Sequence, residues 1–189
     1  MKIIRYPEPA QWEELLRRPA LDVATLNDTV RTVLQEVRTR GDEAVKDFEE
    51  RFDHVRLDSL SVSEAEWAEA ETLVSEELKE ALHQAHANIE KFHAAQRFES
   101  RPVTVTEGVT CWQKHVPIEK VGLYIPGGTA PLFSTVLMLA TPARIAGCGE
   151  IVLCTPPNRE GKIHPAILYA ARVAGVSKIF KAGGVQAIG

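Results

Sequence analysis

Apolar residues recur every three or four positions along much of the first hundred residues, which is the spacing of one buried helix face. The stretch "VATLNDTVRTVLQEVRTRG" carries this pattern at Val23, Leu26, Val30, Val33, Leu34 and Val37. A second stripe follows at Leu78, Leu82, Ala85, Ile89 and Phe92. It predicts a helix from about Glu76 to Phe98.

Further signals in this half mark helix boundaries. Gly41 is typical of a helix C-cap, and "DEAVKDFEERFD" continues the pattern as a shorter helix. Ser63 with Glu66, and Ser75 ahead of an acidic turn, are typical helix starts. The sequence predicts that residues 1–100 form a helical arm or lobe, to which we assign no functional site.

The period changes at Arg101. "RPVTVTEGVTCWQKHVPI" alternates like two strands around Glu107 and Gly108, which predicts a hairpin. The strands "KVGLYIP", "EIVLCTP" and "KIFKAG" then alternate with the helices "PLFSTVLMLATPARIAG" and "HPAILYAARVAG". This order predicts an α/β fold with βαβ units and a parallel sheet in residues 101–189. The last residues, "KAGGVQAIG", are a strand followed by a turn, and the chain looks cut there rather than finished.

The composition narrows the class of protein. Hydrophobic residues make up 44% and charged residues 25%, as in ordinary soluble globular proteins. Residues 1–100 carry 22 acidic and 13 basic side chains, whereas residues 101–189 carry 4 acidic and 9 basic ones. The basic second half suits an anionic small molecule, but without a Lys/Arg run it does not indicate nucleic acid. No apolar signal segment or membrane span is found, so a cytoplasmic location with three reduced cysteines is expected.

The turn after the first parallel strand has the features of an anion or dinucleotide cradle. Gly122, Gly127 and Gly128 allow close backbone approach, and Tyr124 precedes them for stacking on a ring. The hydroxyls of Thr129, Ser134 and Thr135 lie near the predicted helix start. Neither common glycine fingerprint is present, so glycines that serve only packing remain an equal alternative.

The other two turns are predicted at the same sheet edge. In the second, a phosphate could be touched by Thr155, Asn158, Arg159 or Lys162, although a solvated connection is the commoner role of such a loop. In the third, Gln186 follows Gly183 and Gly184 and could bind a carboxamide or a sugar.

Two other groups of side chains raise alternatives. His83, His86 and Glu90 lie at a spacing that can bind zinc, but histidines beside an apolar stripe also serve packing. Cys148 and Cys154 are candidate nucleophiles, yet neither sits at a helix N-terminus that would activate a thiol. Both cysteines are also interpretable as small core residues.

Specific segments resemble one family. "VGLYIPGGTAPLFSTVLMLATPARIAGC", "VLCTPP" and "GGVQAI" closely resemble the first part of histidinol dehydrogenases. The helical lead-in is also similar, in "RTRGDEAVKDFEERFD" and "NIEKFHAAQ". The resemblance covers essentially all 189 residues and is most specific from Val121 to Pro157.

The resemblance implies an NAD-dependent, zinc-containing enzyme of histidine biosynthesis. Such enzymes oxidise L-histidinol to L-histidine through an aldehyde, in two hydride transfers. The implied fold is aldehyde-dehydrogenase-like, with incomplete Rossmann-like domains in a homodimer. Residues 101–189 would then be a truncated Rossmann-like NAD-binding domain. By their places in the motifs, Tyr124 and Gln186 match family residues that contact NAD.

The family's zinc ligands and its proton-removing Glu-His pair match no residue of this sequence. We therefore assign no catalytic and no metal-binding residue, and we expect the chain alone to be inactive. One rival hypothesis is a non-catalytic module for NAD binding or dimerisation. Another is a thiol-dependent aldehyde dehydrogenase that uses Cys148 or Cys154.

Overall fold

A computed structural model describes residues 3–18, 23–128 and 130–189 of the protein. The α-helices of these residues are α1 (Trp12–Leu15), α2 (Val23–Arg40), α3 (Asp42–Phe48), α4 (Glu64–Leu73), α5 (Glu76–Ala94), α6 (Phe133–Ala146) and α7 (Pro165–Ala174). The strands are β1 (Val103–Thr106), β2 (Val109–Cys111), β3 (Lys120–Tyr124), β4 (Glu150–Thr155) and β5 (Lys178–Lys181). Short 3-10 turns cover Pro9–Gln11 and Val185–Ala187, and one π-helical turn covers Glu49–Asp53.

The helix starts follow the local sequence signals. Ser63 and Glu66 form a reciprocal capping box at the start of α4. At α5, the Ser75 hydroxyl accepts a hydrogen bond from the N–H of Leu78 at 3.3 Å. The helix predicted to reach Phe98 ends at Ala94. Among the described helices, none combines the length and the apolar character needed to cross a membrane.

Three parallel strands form the sheet in the order β3-β4-β5, which confirms the α/β class. Their register places Tyr124 beside Cys154, and Cys154 beside Phe180. Strands β1 and β2 form a separate antiparallel hairpin, as the alternation around Glu107 and Gly108 predicts. Because consecutive parallel strands are joined by α6 and α7, the turns that leave β3, β4 and β5 share one edge.

The hydrophobic core lies between one face of the sheet and the helices. Ile151, Leu153 and Ile179 are at most 2% exposed and project from this face. They belong to one cluster with residues of α6 and α7, and with Ala70 of α4 and Leu82 of α5. Helices from the first hundred residues thus contribute to the same core as the sheet, whereas a domain boundary at residue 100 stays a prediction.

The segment before α4 covers the free edge of β5. The N–H of Val62 donates to the carbonyl of Ile179 at 3.0 Å, and the N–H of Lys181 donates to the carbonyl of Leu60 at 2.7 Å. Nearby, Val33 of α2 packs with Ala44 and Phe48 of α3 and with Val185, which follows β5. These contacts bring the end of α3 to the turn that follows β5.

Candidate functional site

A cavity of about 750 Å³ opens at the carboxyl edge of the parallel sheet. All three turns that leave the strands contribute to its wall, and so does the helical half of the chain. Residues that line it include Tyr124, Gly127, Gly128, Asn158 and Gly184 from the turns, and Asp53, Glu66 and Glu69 from the helical half. Its volume lies in the range of small-molecule sites.

The two glycines of the first turn differ in their surroundings. A Cβ atom added to Gly127 would lie 2.5 Å from Cγ of Pro156 in the second turn, so packing alone requires this glycine. A Cβ atom added to Gly128 would meet nothing within 4 Å, and its φ lies outside the left-handed region. Neither packing nor backbone strain therefore explains Gly128, which is free to contact a ligand.

The hydroxyls near this turn are less informative. Thr129 lies outside the described residues. Ser134 and Thr135 belong to α6 and do not line the cavity. The N-cap residue of α6 is Leu132, which follows the cavity residues Ala130 and Pro131, and no side-chain cap is present there among the described residues. The positive end of this helix dipole is therefore not neutralised by a side-chain cap.

Tyr124 joins the first turn to the third. Its ring lines the cavity, and its hydroxyl oxygen accepts a hydrogen bond from the N–H of Gly184 at 3.0 Å. The sequence analysis places Tyr124 and the Gly183–Gly184 turn at one site, and the structure brings them into contact.

Gln186 lies behind the third turn and is only 3% exposed. Its Nε2 donates to Oε1 of Glu49 at 2.9 Å, and the N–H of Gly183 donates to the same oxygen at 2.7 Å. Gly184 lines the cavity, and the position that its Cβ atom would take lies 2.9 Å from the Gln186 Oε1 atom. The described structure therefore places Gln186 against Glu49 rather than on the cavity wall.

Glu49 and Asp53 form a carboxyl pair beside this turn. Glu49 is fully buried, and its Oε2 atom has no hydrogen-bond donor among the described residues. Burial raises the pKa of Glu49 against the opposing effect of the N–H of Gly183. Burial also raises the pKa of Asp53, against the opposing effects of Glu49 and His54. The pair therefore retains a proton more readily than two exposed carboxyls would.

The polar side chains of the second turn are committed to the protein. Oδ1 of Asn158 accepts hydrogen bonds from the N–H groups of Glu160 and Lys162, at 3.0 and 2.9 Å. Nζ of Lys162 lies 2.9 and 2.8 Å from the two carboxylate oxygens of Glu69. Thr155 is 1% exposed, and Arg159 does not line the cavity. These contacts favour a connecting role for this loop over phosphate binding.

The histidine group on α5 serves packing contacts. Nη2 of Arg144 in α6 lies 2.8 Å from Glu90 and 3.2 Å from Nε2 of His86. His83 is hydrogen bonded to the hydroxyl of Tyr169 at 3.1 Å. In the described part of the chain, no group of three or more His, Cys, Asp or Glu side chains is placed to hold a metal ion.

The two candidate nucleophiles, Cys148 and Cys154, lack the setting of a reactive thiol. Burial, with a contribution from the charge of Glu49, raises the pKa of Cys154, which disfavours its nucleophilic thiolate. Cys148 packs against the hydrophobic core beside the C-terminus of α6. Both placements favour the structural interpretation of these residues.

Sequence reasoning assigned no site to the helical half and so missed Glu49 and Asp53. The two acids are four residues apart in "DEAVKDFEERFD", which places them on one side of a helical turn. That spacing is common on solvated helix faces and did not distinguish them. Only the contact with Gly183, 134 residues away along the chain, makes Glu49 notable.

Comparison with known proteins supports one family. The family description "histidinol dehydrogenase" matches residues 16–189. A histidinol dehydrogenase of Bacteroides thetaiotaomicron is 65% identical over 188 residues, which cover 100% of this chain and 44% of that protein. One of Xanthomonas campestris pv. campestris is 49% identical over 176 residues, or 93% of this chain and 41% of that protein.

A solved structure agrees with these relatives. The crystal structure of histidinol dehydrogenase from Elizabethkingia anophelis superposes with a TM-score of 0.91 at 47% identity. The match covers 96% of this chain and 42% of that chain. The chain therefore spans less than half the length of the curated relatives that it matches.

Proposed function

The chain belongs to the histidinol dehydrogenase family, and from this premise we propose that it holds NAD for the oxidation of L-histidinol to L-histidine. The observation that carries the proposal is the cavity at the carboxyl edge of the sheet, where Gly128 is unobstructed. Parallel α/β sheets bind nucleotides at this edge. The bound NAD would accept hydride, while this part of the protein binds and orients it.

Some backbone donors at the cavity are already occupied within the protein, and this indicates where the phosphates of the cofactor lie. The N–H groups of Gly183 and Gly184 already donate to Glu49 and to Tyr124. The third turn therefore offers these two donors to nothing else, and Oδ2 of the acidic Asp53 lies 3.1 Å from the position that a Cβ atom of Gly183 would take. We place the cofactor phosphates at the first turn instead, next to Gly128 and the uncapped N-terminus of α6.

The proposal keeps Tyr124 and Gln186 as cofactor-binding residues. Tyr124 is supported by its place on the cavity wall. Gln186 is supported by the motif resemblance, and by its Oε1 atom behind Gly184. A direct contact requires that its amide turn from Glu49 toward the cavity when the cofactor enters.

Zinc enters the proposal only through the family resemblance. The described residues do not fit a zinc site, because they contain no suitable group of three ligands. Glu66 and Glu69 at the cavity are paired with Lys181 and Lys162. We therefore assign no residue described here to zinc or to proton removal.

We also propose that the protein acts as a cytoplasmic homodimer, as the sequence analysis expects. Apolar side chains along the β1–β2 hairpin and the segment after it support a buried interface. Val103, Val105, Trp112, Val116 and Ile118 are between 57% and 70% exposed. Apolar surface of this extent is typical of association sites.

The cofactor proposal predicts that purified chain binds NAD and that Gly128→Ala weakens the binding about tenfold. The added methyl group would meet no protein atom within 4 Å, so it obstructs a closely approaching ligand without disturbing the fold. Isothermal titration calorimetry gives the affinity, and thermal unfolding checks the fold. Gly122→Ala is the matched control, because it also meets nothing within 4 Å but lies outside the cavity wall. Equal affinities for all three proteins would contradict the proposed role of Gly128.

Supplying L-histidinol, NAD and Zn²⁺ to the purified chain is expected to give no NADH. The reason is that no described residue group can hold the metal that would polarise the alcohol. Absorbance at the NADH band measures the reaction, with the histidinol dehydrogenase of Bacteroides thetaiotaomicron as positive control. Steady NADH formation by the chain would contradict our proposal that no residue described here binds zinc or removes a proton.

A further inference from the structure

Asp53 places a carboxylate on the cavity wall. No lysine or arginine of the described residues forms an ion pair with it, whereas Glu66 and Glu69 in the same cavity each pair with a lysine. Its Oδ2 atom lies over the third turn, 3.1 Å from the position that a Cβ atom of Gly183 would take. An unpaired carboxylate on a cavity wall is an acceptor that a ligand hydroxyl can satisfy.

The surroundings of Asp53 exclude a phosphate at this end of the cavity. The N–H groups of Gly183 and Gly184 are occupied by Glu49 and Tyr124, so they cannot stabilise an anion. A phosphate here would face the charge of Asp53 without a compensating donor from this turn. A neutral group rich in hydroxyls fits this end better.

Glu49 provides the second, independent observation. It is fully buried, and its Oε1 atom already accepts two hydrogen bonds. Its Oε2 atom has no donor among the described residues, and the neighbouring charge of Asp53 raises the pKa of this side chain further. A proton on Oε2 of Glu49 would satisfy this atom and leave the negative charge on the more accessible Asp53.

The groups around the pair agree with this protonation. Burial raises the pKa of Glu49, and the charge of Asp53 raises it further against the opposing N–H donors. The other titratable neighbours are the thiol of Cys154, whose pKa is raised by burial, and the exposed His54, which lowers the pKa of Asp53. Burial raises the pKa of Asp53 as well, but Asp53 is the less buried of the two, so we take it as the acid that carries the charge.

We propose that the Asp53 carboxylate accepts hydrogen bonds from the 2′- and 3′-hydroxyls of the adenosine ribose, and that Glu49 is the neutral residue that positions it. The inference rests on the proposed NAD function. In many dinucleotide-binding folds an acid near the ribose has this role. In this protein the acid is Asp53, which lies in the π-helical turn Glu49–Asp53 of the helical half. Since a 2′-phosphate would be repelled by Asp53, the same contact selects NAD over NADP.

The test compares the affinities of NAD and NADP by calorimetry for the complete 189-residue chain and its variants. Asp53→Asn is expected to weaken NAD binding about tenfold, the loss of a charge-assisted hydrogen bond. It is also expected to reduce the preference for NAD over NADP by at least about tenfold, since the repulsion is removed. Glu50→Gln is the matched control, because it removes an acid from the same turn at an exposed position.

Two variants of Glu49 test its positioning role. Glu49→Gln retains an acceptor and places an N–H donor where the proton lies, so NAD affinity is expected within about threefold of the parent chain. Glu49→Ala removes both the acceptor and the donor, and it is expected to weaken NAD binding as much as Asp53→Asn does. Thermal unfolding identifies any variant that fails to fold, and Asp53→Ser then replaces Asp53→Asn.

The outcomes separate this inference from the function on which it rests. A parent chain that binds neither cofactor overturns both. A parent chain that binds NAD, with Asp53→Asn behaving like Glu50→Gln, overturns the role of Asp53 and leaves the NAD proposal standing. If Glu49→Gln is as weak as Glu49→Ala, Glu49 is charged and its role as a neutral positioning residue is wrong.

Discussion

Replacing Glu66 by Gln is expected to lower the free energy of unfolding by about 3 kcal/mol, as for removal of one partner of a buried ion pair. The Oε1 atom of Glu66 lies 2.6 Å from Nζ of Lys181, and both side chains are largely buried. Its Oε2 atom accepts hydrogen bonds from the N–H and the hydroxyl of Ser63, both at 2.9 Å. The side-chain amide of glutamine has one acceptor oxygen, so it cannot accept hydrogen bonds from Lys181 on one side and from Ser63 on the other. Lys181 would also remain buried without an anion.

Glu69→Gln is the matched control for this experiment. Glu69 lies one turn later on α4 and pairs with Lys162, but both of these side chains are about half exposed. Exposed pairs contribute about 0–1 kcal/mol, so this change is expected to have little effect. Urea unfolding followed by circular dichroism gives both values. If the two variants lose unfolding free energies that agree within about 0.5 kcal/mol, the Lys181–Glu66 pair stabilises the fold no more than the exposed pair does.

The same pair predicts a pH dependence. Burial alone would raise the pKa of Glu66, but the hydrogen bonds from Lys181 and Ser63 outweigh it, so its pKa is lowered from 4.5. The stabilisation is therefore present above pH 4.5 and is lost as the pH falls through the folded-state pKa. The difference in stability between the parent chain and Glu66→Gln should accordingly shrink in acid.

Local signals in the sequence were sufficient for most elements of the fold. The capping box of Ser63 and Glu66, the hairpin around Gly108 and the alternation of strands with helices all depend on residues close together in the chain. The pairing of Leu60 and Val62 with β5 was not predicted, because it joins residues more than a hundred positions apart. A short extended segment between helices carries no period that reveals its partner.

The part of the candidate site that lies in one βα turn could be predicted from the sequence. The contacts between residues far apart along the chain could not. Tyr124, Gly127 and Gly128 lie on the cavity wall, whereas Gly122 lies within β3 and does not line the cavity. The hydrogen bond from Gln186 to Glu49 spans 137 residues, so no local motif shows that its amide is bonded to Glu49. The helical spacing of His86 and Glu90 was correct, but only the fold shows Arg144 between them.

Gly127→Ala is expected to lower the free energy of unfolding by about 2 kcal/mol, the cost of forcing one carbon into a packed site. The new Cβ would lie 2.5 Å from Cγ of Pro156, and the proline ring cannot rotate away from it. The clash would push the first and second turns apart at the mouth of the cavity. Gly128→Ala, one residue later, meets nothing and should leave stability unchanged or slightly raised.

A double-mutant cycle with Pro156→Ala isolates the clash. Removing the proline ring deletes the Cγ atom, and the remaining Cβ would lie 3.6 Å from the new methyl group, an ordinary contact. Gly127→Ala should therefore cost about 2 kcal/mol less in the Pro156→Ala background, as a coupling energy of close neighbours. Additive losses would show that Gly127 is required for another reason. In that case the two glycines would share the ligand-binding role that we assign to Gly128 alone.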